Sequence, residues 1–466
     1  MTGPIVIIGG GFCGTVLAAN LLRRPPPELR ELVLVERSAR MGRGIAYAVR
    51  EYPFLLNVPA SRLSADSSDP LQFLAYARRI NPHAGPEDFL PRAWYGDYLE
   101  DALARAERAA PASLVFRRVH AEAQRVRRDG AGRWLVEVAG REPLIAEDLI
   151  LALGNPAPKL LPFADRVREH PGYRNDPWNY ERTLGAQHAV LIIGNGLTMA
   201  DVVLSLSANA AQTPAITTIS RHGLLPLEQT EFRPTAVQGD GAALIECATS
   251  LRRLMAASRD LSREVARVGG DWREAVTFLR HLAPAIWQRL PDVERRRFLR
   301  HVQAHWEVHR HRLPQQIGAR LAALRAADRL RILAGRIVEL APEGDLIRAV
   351  WRGRGATEPQ SMLVHAVINA TGPDYTPARH PDSLVQGLLA DGWITADPLQ
   401  LGVLTGAHGA CLDGHGRPAG HLYYLGPWLR AEAWEATAVP ELRNRADQLA
   451  AHLGGAAPDG ADHSKS

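Results

Sequence analysis

Two short runs of consecutive apolar residues each break at a glycine turn and continue into a pattern typical of a helix. The first is "IVIIGGGFCGTVLAANLL" at residues 5–22, and the second is "VLIIGNGLTMAD" at residues 190–201. An apolar run of this length, bounded by glycine, predicts a strand that is buried on both faces of a parallel sheet. The sequence therefore predicts two strand–turn–helix units of the same kind in one chain.

The repetition extends beyond the glycine turns. Each half continues with two alternating strands joined by a tight turn, near Gly130 in the first half and near Gly344 in the second. Each of these antiparallel strand pairs, called a meander below, leads into an apolar strand that ends in small residues. These residues include Gly154 in the first half and Gly372 in the second. Strands that alternate with helices favour a parallel sheet. The predicted fold class is therefore α/β, with two Rossmann-like dinucleotide-binding domains.

The first glycine turn has the spacing G-x-G-x-x-G at Gly9, Gly11 and Gly14, and the next strand, "ELVLVE", ends at Glu36. In this pattern the first glycine permits a tight turn, the second admits a pyrophosphate, and the third lets the helix approach the strand. The pyrophosphate binds the free N–H groups at the helix N-terminus. Glu36 is expected to accept hydrogen bonds from the adenosine ribose hydroxyls.

The second turn departs from this pattern at two points. Gly194 and Gly196 are present, but Met199 occupies the position of the third glycine. The following strand ends at Ser220 and Arg221 instead of at an acid. A hydroxyl and a guanidinium bind a 2′-phosphate that a carboxylate would repel, which indicates NADP(H); the alternative is that the arginine merely caps a strand end. The predicted nicotinamide-nucleotide residues are Gly194, Gly196, Thr198, Ser220 and Arg221.

Residues 224–325 exceed what a Rossmann unit needs between two strands, and their apolar spacing predicts three or more helices. We expect this helical insertion to select the substrate, with Arg310 and Arg312 pairing with a substrate carboxylate. The alternative is that these arginines form ion pairs with Glu294 or Glu307.

Three histidines, His301, His305 and His309, recur at every fourth position and would share one helix face. Metal ligation would need a motif such as H-E-x-x-H or a nearby cysteine, which this stretch lacks. The spacing therefore predicts a buried polar seam between helices, and no metal site is predicted.

Composition and charge narrow the protein class. The 466 residues are 46% hydrophobic and 23% charged, as in an ordinary globular protein, and no apolar run is long enough for a membrane span. The net charge of +5 comes from arginines interleaved with acids, so neither a nucleic-acid nor a membrane partner is predicted. The three cysteines are far apart and form no C-x-x-C pair, and no signal peptide is recognisable. The expected location is the cytoplasm.

Four longer stretches resemble a bacterial FAD/NAD(P)-binding protein family whose members have two dinucleotide-binding domains. They lie at 42–77 ("GRGIAYAVREYPFLLNVPASRLSADSSDPLQFLAYA"), 89–99 ("FLPRAWYGDYL"), 298–314 ("FLRHVQAHWEVHRHRLP") and 423–450 ("YYLGPWLRAEAWEATAVPELRNRADQLA"). The family is similar to the flavin-dependent N-hydroxylating monooxygenases. The similarity covers nearly the whole chain.

The resemblance implies a discontinuous FAD-binding domain, residues 1–185 and 361–455, around an NADPH-binding domain, residues 186–360. The helical insertion, about 224–325, lies in the second domain, and the polar tail 456–466 is expected to be disordered.

The resemblance also assigns residues to FAD. Asn57 and Ser64 are candidates for polar contacts at the flavin ring, with Asn57 as the catalytic candidate; turn capping is the equal alternative for both. The C-terminal segment is expected to close over the flavin, with a helix that begins near Trp434. The residues assigned to FAD are Gly9, Gly11, Gly14, Glu36, Gly42, Gly44, Asn57, Ser64, Gly154, Gly372, Gly426, Pro427, Trp434, Glu435 and Thr437.

The function implied is that of an NADPH-dependent FAD monooxygenase, in which a C4a-hydroperoxyflavin oxygenates a small polar metabolite. The preferred reaction is N-hydroxylation of an amino acid or amine, with O₂ and the small molecule as partners and a homo-oligomer left open. One alternative is an FAD-dependent NAD(P)H reductase or oxidase that does not oxygenate. The others are a C-hydroxylase of a purine-like heterocycle and a non-enzymatic nucleotide sensor.

Overall fold

The computed structural model describes residues 3–49, 52–178, 184–235, 237 and 239–455. The predicted disordered tail, 456–466, lies outside the described residues. The chain divides into two compact units. Unit 1 comprises Met1–Asn155 and Tyr375–Ser466, and unit 2 comprises Pro156–Asp374.

Strands and helices are numbered in chain order. The strands are β1 (Ile5–Ile8), β2 (Glu31–Glu36), β3 (Val115–His120), β4 (Ala123–Arg128), β5 (Trp134–Val138), β6 (Leu144–Ala146), β7 (Asp148–Leu151), β8 (Tyr173–Arg174), β9 (Ala189–Ile193), β10 (Ala215–Ser220), β11 (Leu330–Glu343), β12 (Leu346–Gly353), β13 (Pro359–Val364), β14 (Ala366–Asn369), β15 (Ala410–Leu412) and β16 (Pro418–Tyr424). The α-helices are α1 (Phe12–Arg23), α2 (Gly44–Ala48), α3 (Gln72–Ile80), α4 (Arg92–Ala109), α5 (Leu197–Leu206), α6 (Gly241–Cys247), α7 (Leu251–Arg267), α8 (Trp272–Arg289), α9 (Asp292–His301), α10 (Gln303–Arg310), α11 (Gln315–Ala326), α12 (Ser383–Ala390) and α13 (Val439–Leu453).

The main sheet of unit 1 has the order β15-β16-β7-β1-β2-β3. Strand β1 pairs in parallel with both β2 and β7, and all four of its residues are buried, as the continuous apolar run predicts. Helix α1 is buried along most of its length and packs against α4 and α13. The first meander, β4-β5-β6, forms a separate antiparallel sheet. The glycine turn between β1 and α1 thus sits on a rigid parallel core.

The sheet of unit 2 has the order β13-β12-β11-β10-β9-β14-β8. Its parallel part, β8 to β11, contains the second glycine turn after β9, and its antiparallel part, β11 to β13, is the second meander. Helices α6–α11 lie between β10 and β11 in the sequence. The two predicted Rossmann-like units and the α/β fold class are confirmed.

The units divide at positions other than the domain boundaries predicted at 185/186 and 360/361. Strand β8 pairs in parallel with β14, with Tyr173 opposite Val367. Strand β14 in turn pairs with β9 in the centre of the second sheet. Residues 156–185 and 361–374, which were predicted to belong to the FAD-binding domain, therefore belong to unit 2. The reason is that a strand shares the hydrophobic core of the sheet in which it pairs. Unit 1 itself consists of two segments that are separated in the sequence by unit 2.

Candidate functional site

The two glycine turns share one hydrogen-bond arrangement. In unit 1 the Gly9 N–H donates to the Val35 carbonyl at 2.8 Å, and the Ala152 N–H donates to the Ile8 carbonyl at 2.8 Å. In unit 2 the Gly194 N–H donates to Ile219 at 2.9 Å, and the Ala370 N–H donates to Ile193 at 2.8 Å. Each turn is therefore held between the ends of two flanking parallel strands, where ligands of such sheets bind.

The first glycine of each turn is required by the backbone. Gly9 has φ 108° and Gly194 has φ 111°, in the region that favours glycine. A Cβ atom at Gly9 would lie 2.4 Å from the Ala152 carbonyl oxygen, and one at Gly194 would lie 2.3 Å from that of Ala370. Both turns can therefore pass the neighbouring strand only without a side chain.

The third position distinguishes the two turns. A Cβ atom at Gly14 would lie 1.9 Å from the Gly9 carbonyl oxygen, so α1 approaches its turn as closely as a glycine allows. Met199 occupies this position in α5 and is fully buried. Because Met199 carries a Cβ atom, α5 cannot approach its own turn in the same way. The second turn keeps the tight bend but not the close helix contact.

The second glycine leaves an open face in both turns. Gly11 precedes α1, and an added Cβ atom there would meet only the Cα of Gly44, at 3.7 Å. Gly196 precedes α5, and an added Cβ atom would meet nothing within 4 Å. Thr198 follows in the first turn of α5. Free N–H groups at these helix N-termini are available to an anion such as a pyrophosphate.

Glu36 organises the loop around the first turn. Its Oε2 accepts a hydrogen bond from the Gly10 N–H at 2.7 Å, and its Oε1 accepts one from the Ser38 N–H at 2.8 Å. A carboxylate has about four acceptor sites, so both oxygens retain capacity for ribose hydroxyls. The predicted ribose contact stays a prediction that this geometry permits.

Arg43 was not anticipated from the sequence, although it lies between the predicted residues Gly42 and Gly44. Its guanidinium is 4% exposed and forms ion pairs with Asp97 and Glu100 of α4. Its Nε lies 2.7 Å from Glu100 Oε1. Burial alone would lower the pKa of Arg43, but the hydrogen bonds and charges of Glu100 and Asp97 outweigh burial and raise it. A signal was present in the sequence: two acids three positions apart on one helix face.

Arg43 fixes the Gly42–Gly44 segment against the first turn. The Gly42 N–H donates to the Gly10 carbonyl at 2.7 Å. A Cβ atom at Gly42, which has φ 88°, would lie 3.1 Å from the Glu100 nitrogen, and one at Gly44 would lie 3.5 Å from the Gly11 Cα. The segment therefore crosses the turn beside the open face of Gly11.

These residues line a cavity of about 590 Å³ that lies within unit 1. Of the residues predicted from the sequence, Gly9, Gly11, Glu36, Gly44 and Gly154 line it. The polar and charged lining residues that were not predicted are Arg37, Ser38, Arg40, Arg43, Glu122, Asn155, His380 and Asp382. A cavity of this volume is in the range of small-molecule and cofactor sites.

Asn57 and Ser64 do not line this cavity. Ser64 is fully buried, and its hydroxyl lies 2.6 Å from the Asp69 carbonyl and 2.9 Å from the Asp66 carbonyl. This geometry favours the turn-capping alternative for Ser64. Asn57 is partly buried in the same loop region, and its flavin contact stays a prediction.

The C-terminal segment is tied to the strand-end turn that contains Gly154. The Tyr424 hydroxyl donates to the Leu153 carbonyl at 3.2 Å and accepts from the Trp428 N–H at 3.1 Å. A Cβ atom at Gly426 would lie 2.6 Å from the same Leu153 carbonyl oxygen. Pro427 begins a short 3-10 helix that follows directly. Gly426 and Pro427 therefore pass close to the predicted site.

The expectation that a helix begins near Trp434 is wrong. Trp434 and Glu435 are buried in non-helical chain, with the Arg430 guanidinium 3.8 Å from the Trp434 ring centroid. Thr437 follows in the same stretch, and α13 begins only at Val439. Proline lacks an N–H and suits the first turn of a helix, so Pro440 marks the true start.

In unit 2, cationic residues gather at the end of β10. Ser220 is opposite Ala334 of β11, and the Arg354 N–H donates to the Ala334 carbonyl at 2.9 Å. Burial lowers the pKa of His222, and the charges of Arg354, Arg221, His305 and Arg336 lower it further. The residues that sequence reasoning missed here are Arg336 and Arg354. The signal was the predicted meander, which returns the chain to this end of the sheet.

The second strand-end turn is closed by Gly372, at φ 87°. The Asn369 side chain accepts from the Thr371 N–H at 3.1 Å and donates to the Lys159 carbonyl at 2.9 Å. Gly372 lies in unit 2, so it corresponds to Gly154 in the second half of the repeat and does not line the unit 1 cavity.

The predicted histidine seam is wrong. The helix breaks at Val302, so His301 ends α9 while His305 and His309 belong to α10. His301 and His305 are exposed, and His309 Nδ1 lies 2.7 Å from the His305 carbonyl of its own helix. Within the described ranges, no group of three or more His, Cys, Asp or Glu side chains is placed to hold a metal ion.

Glu294 and Glu307, the acids considered as partners for Arg310 and Arg312, also contact other residues. Glu294 pairs with Arg297 and accepts a hydrogen bond from a backbone N–H of α7 at 3.0 Å. Glu307 lies 2.8 Å from the His311 ring.

Among the residues that the structure describes, no helix has the length and apolar character needed to cross a membrane.

Two glycine turns of this geometry, each on its own parallel sheet, are typical of a fold with two dinucleotide-binding domains. Residues 6–156 match a family model described as FAD-NAD(P)-binding, which confirms the predicted resemblance for the N-terminal part of the chain. No match was found among curated proteins.

Solved structures share the fold over nearly the whole chain. A cadaverine monooxygenase of desferrioxamine biosynthesis from Erwinia amylovora, bound to FAD, is 14% identical, with a TM-score of 0.65 over 97% of this chain and 94% of its own. An ornithine N-hydroxylase from Kutzneria sp. 744 is 16% identical, with a TM-score of 0.62 over 97% and 99%. A thioredoxin reductase from T. acidophilum is 11% identical, with a TM-score of 0.50 over 97% of each chain. At these identities the likeness establishes the fold.

Proposed function

We propose that the protein is an NADPH-dependent FAD monooxygenase that N-hydroxylates a small amine or amino acid. The observation that carries the proposal is the difference between the two equivalent strand ends. Glu36 closes β2 in unit 1, whereas Ser220 and Arg221 close β10 in unit 2, beside Arg336 and Arg354. An acid suits the ribose of FAD, and a cationic end suits the 2′-phosphate of NADPH.

The unit 1 residues fit FAD. The space beside the Cα atoms of Gly11 and Gly154 is open, so a ligand can approach the protein backbone there, and both residues line the 590 Å³ cavity. Gly9 and Gly14 would shape the turn, the N-terminus of α1 would face the pyrophosphate, and Glu36 would accept the ribose hydroxyls. When bound, FAD supplies hydride acceptance and oxygen activation, which side chains do not perform.

The unit 2 residues fit NADPH. Gly194 and Gly196 shape the turn before α5, and the open side of Gly196 would admit the pyrophosphate. Arg221 directly follows β10, and the Arg354 N–H donates to the carbonyl of Ala334, which lies opposite Ser220, so both residues supply positive charge where the 2′-phosphate is expected. This concentration of cations at one strand end favours NADPH over NADH and over the alternative of a simple strand cap.

The monooxygenase is preferred to a reductase that uses a cysteine pair. All three cysteines are free, Cys13 and Cys411 are buried, and burial raises the pKa of both of these thiols. The structural likeness to a cadaverine monooxygenase and an ornithine N-hydroxylase also supports oxygenation, and the substrate class is taken from the same likeness. The thioredoxin reductase likeness keeps the reductase or oxidase as the second candidate.

The test is to incubate the purified FAD-loaded protein in air with NADPH and a panel that contains L-ornithine, L-lysine, cadaverine and purines. We expect an amine to accelerate NADPH consumption and to appear as a hydroxylamine, measured by mass spectrometry. Hydrogen peroxide in equal amount to NADPH, without product, would favour the oxidase, and a hydroxylated purine would favour the C-hydroxylase. Absence of NADPH oxidation with any acceptor would favour the nucleotide sensor.

A second measurement addresses the oxygen chemistry. The protein is reduced by NADPH without oxygen and then mixed rapidly with aerated buffer in the presence of the amine. The C4a-hydroperoxyflavin expected from the resemblance would be seen as an absorbance transient that the amine shortens. Direct return of oxidised flavin, with the amine present, would contradict this part of the proposal.

A further inference from the structure

The helical part of unit 2 contains arginines gathered around one tryptophan, which we call the Trp272 cluster (Trp272, Arg273 and Arg312). Trp272 is the first residue of α8, and Arg312 follows the end of α10. The Arg273 guanidinium carbon lies 4.5 Å from the Trp272 ring centroid, and that of Arg312 lies 5.9 Å from it. His309 also contacts the ring edge-on, at 5.1 Å between centroids.

Arg312 projects from a fixed backbone. The segment around Leu227 pairs with the chain on both sides of Arg312: the Leu227 N–H donates to Val308 at 3.0 Å, and the Leu313 N–H donates to Leu227 at 2.8 Å. The Gln229 N–H donates to the Leu313 carbonyl at 2.7 Å. The backbone on both sides of Arg312 is therefore held by hydrogen bonds, and the guanidinium itself contacts the Trp272 ring.

Arg273 already has its partners. Its Nη1 lies 2.9 Å from Asp271 Oδ2, and its Nη2 donates to the Glu228 carbonyl at 2.7 Å. Asp271 also accepts the Arg273 N–H at 2.8 Å as the cap of α8. The carboxylate of Asp271 is thus committed to Arg273 and to its own helix.

Arg312 lacks such a partner. Its Nη1 is buried without a hydrogen-bond partner among the described residues, while the side chain as a whole is only partly buried. Burial lowers the pKa of Arg312 to about 10, and the charges of Arg273 and Arg310 act in the same direction. A buried cation without an acceptor is unfavourable, and neighbouring cations increase the cost.

We propose that the Trp272 cluster binds the carboxylate of a small molecule, with Arg312 as the principal contact and Arg273 beside it. A planar carboxylate matches the fork of a guanidinium and would supply the acceptor that Nη1 lacks. Trp272 holds the two arginines together through its ring face. The site lies wholly in unit 2, so it does not depend on the proposed oxygenation.

The first test uses the full-length, FAD-loaded protein and phenylglyoxal, which modifies accessible arginines. Malonate, acetate, sulfate and 2′,5′-ADP are compared as protectants at constant ionic strength, and Arg312 is followed by peptide mass spectrometry. We expect malonate and acetate to slow modification of Arg312 but not that of Arg253, an exposed arginine of α7. Protection by 2′,5′-ADP alone would assign Arg312 to nucleotide binding and overturn the proposal.

The second test uses Arg312→Gln, with Arg253→Gln as the matched control. Calorimetric titration with malonate should show affinity weakened about tenfold or more in Arg312→Gln and unchanged in Arg253→Gln, because one charge-assisted contact is lost. Equal affinity in both variants, or equal binding of sulfate by the wild type, would overturn the proposed carboxylate site. The labelling test keeps the proposal falsifiable if Arg312→Gln does not fold.

Discussion

Gly14 shows how one residue controls the distance between the first helix and its turn. We expect Gly14→Ala to destabilise the protein by about 3 kcal/mol and to lower FAD retention, since the added Cβ atom would lie 1.9 Å from the Gly9 carbonyl oxygen. Thermal unfolding and the flavin-to-protein absorbance ratio measure both effects. Unchanged flavin content would contradict the role of the close helix contact.

The control for Gly14→Ala is Gly387→Ala in α12, where an added Cβ atom meets nothing within 4 Å. Alanine has the higher helix propensity, so this variant should gain about 0.5–1 kcal/mol of stability and keep its flavin.

Arg221 directly follows β10 and Arg354 directly follows β12, and both are expected to face the 2′-phosphate. Replacing either with alanine should weaken NADPH binding about tenfold to a hundredfold and leave NADH binding nearly unchanged, because only NADPH carries that phosphate. The affinities for 2′,5′-ADP and 5′-AMP, which differ by the same 2′-phosphate, can be compared in these variants without turnover. Equal losses for NADPH and NADH would reject the assignment.

Arg267→Ala serves as the control for these two variants. Arg267 is an exposed arginine near the end of α7, so its loss tests whether general positive charge attracts the nucleotide. A comparable loss of NADPH affinity in Arg267→Ala would show a long-range charge effect instead of a specific site.

At the scale of elements, the Arg43 ion pairs join the Gly42–Gly44 segment to α4. Arg43→Ala should cost about 3 kcal/mol and release FAD, because it leaves the carboxylates of Asp97 and Glu100 without their main partner. Denaturant unfolding and flavin fluorescence provide the measurements.

Arg105→Ala is the matched control, since Arg105 pairs with Asp101 of the same helix α4, is 45% exposed and does not line the cavity. An exposed pair contributes less than about 1 kcal/mol, so this variant should keep both stability and flavin. Similar losses in the two variants would mean that ion pairs on α4 in general, and not the Arg43 contacts, control stability and flavin binding.

The elements that were predicted correctly are those with a strong local pattern. The runs around β1 and β9 are continuous and apolar, and a glycine ends each of them, so the strand, the turn and the helix follow from neighbouring residues. The start of α13 was misplaced because it was taken from the family resemblance, whereas the local signal, Pro440 in the first turn, lies a few residues later.

The contacts that were missed join residues far apart in the chain. Arg43 is paired with acids more than fifty residues away, and Arg354 reaches the end of β10 only through the hydrogen-bonded meander of β11 and β12. The local pattern of apolar and polar residues does not show which distant residues will meet in the fold. The Arg43 ion pairs and the position of Arg354 could therefore be found only from the structure.

At the scale of the whole molecule, the two units differ in continuity. Unit 1 is assembled from both ends of the chain, because β15 and β16 complete the sheet that β1 begins. Unit 2 is a single uninterrupted segment, Pro156–Asp374, with its own sheet and a buried apolar cluster that includes Leu191, Val367 and Trp351. A segment with its own core is expected to fold by itself.

We therefore expect Pro156–Asp374, produced alone, to unfold cooperatively and to bind 2′,5′-ADP but not FAD. Circular dichroism during heating and calorimetric titration test the two parts, and Arg354→Ala within the same fragment should weaken binding of 2′,5′-ADP about tenfold to a hundredfold. The reciprocal fragment, Met1–Asn155, should not fold, since it lacks β16, whose residues Leu422–Tyr424 pair with β7. A folded Pro156–Asp374 fragment that ignores 2′,5′-ADP would move the nucleotide site elsewhere, whereas an unfolded one would show that its core depends on unit 1.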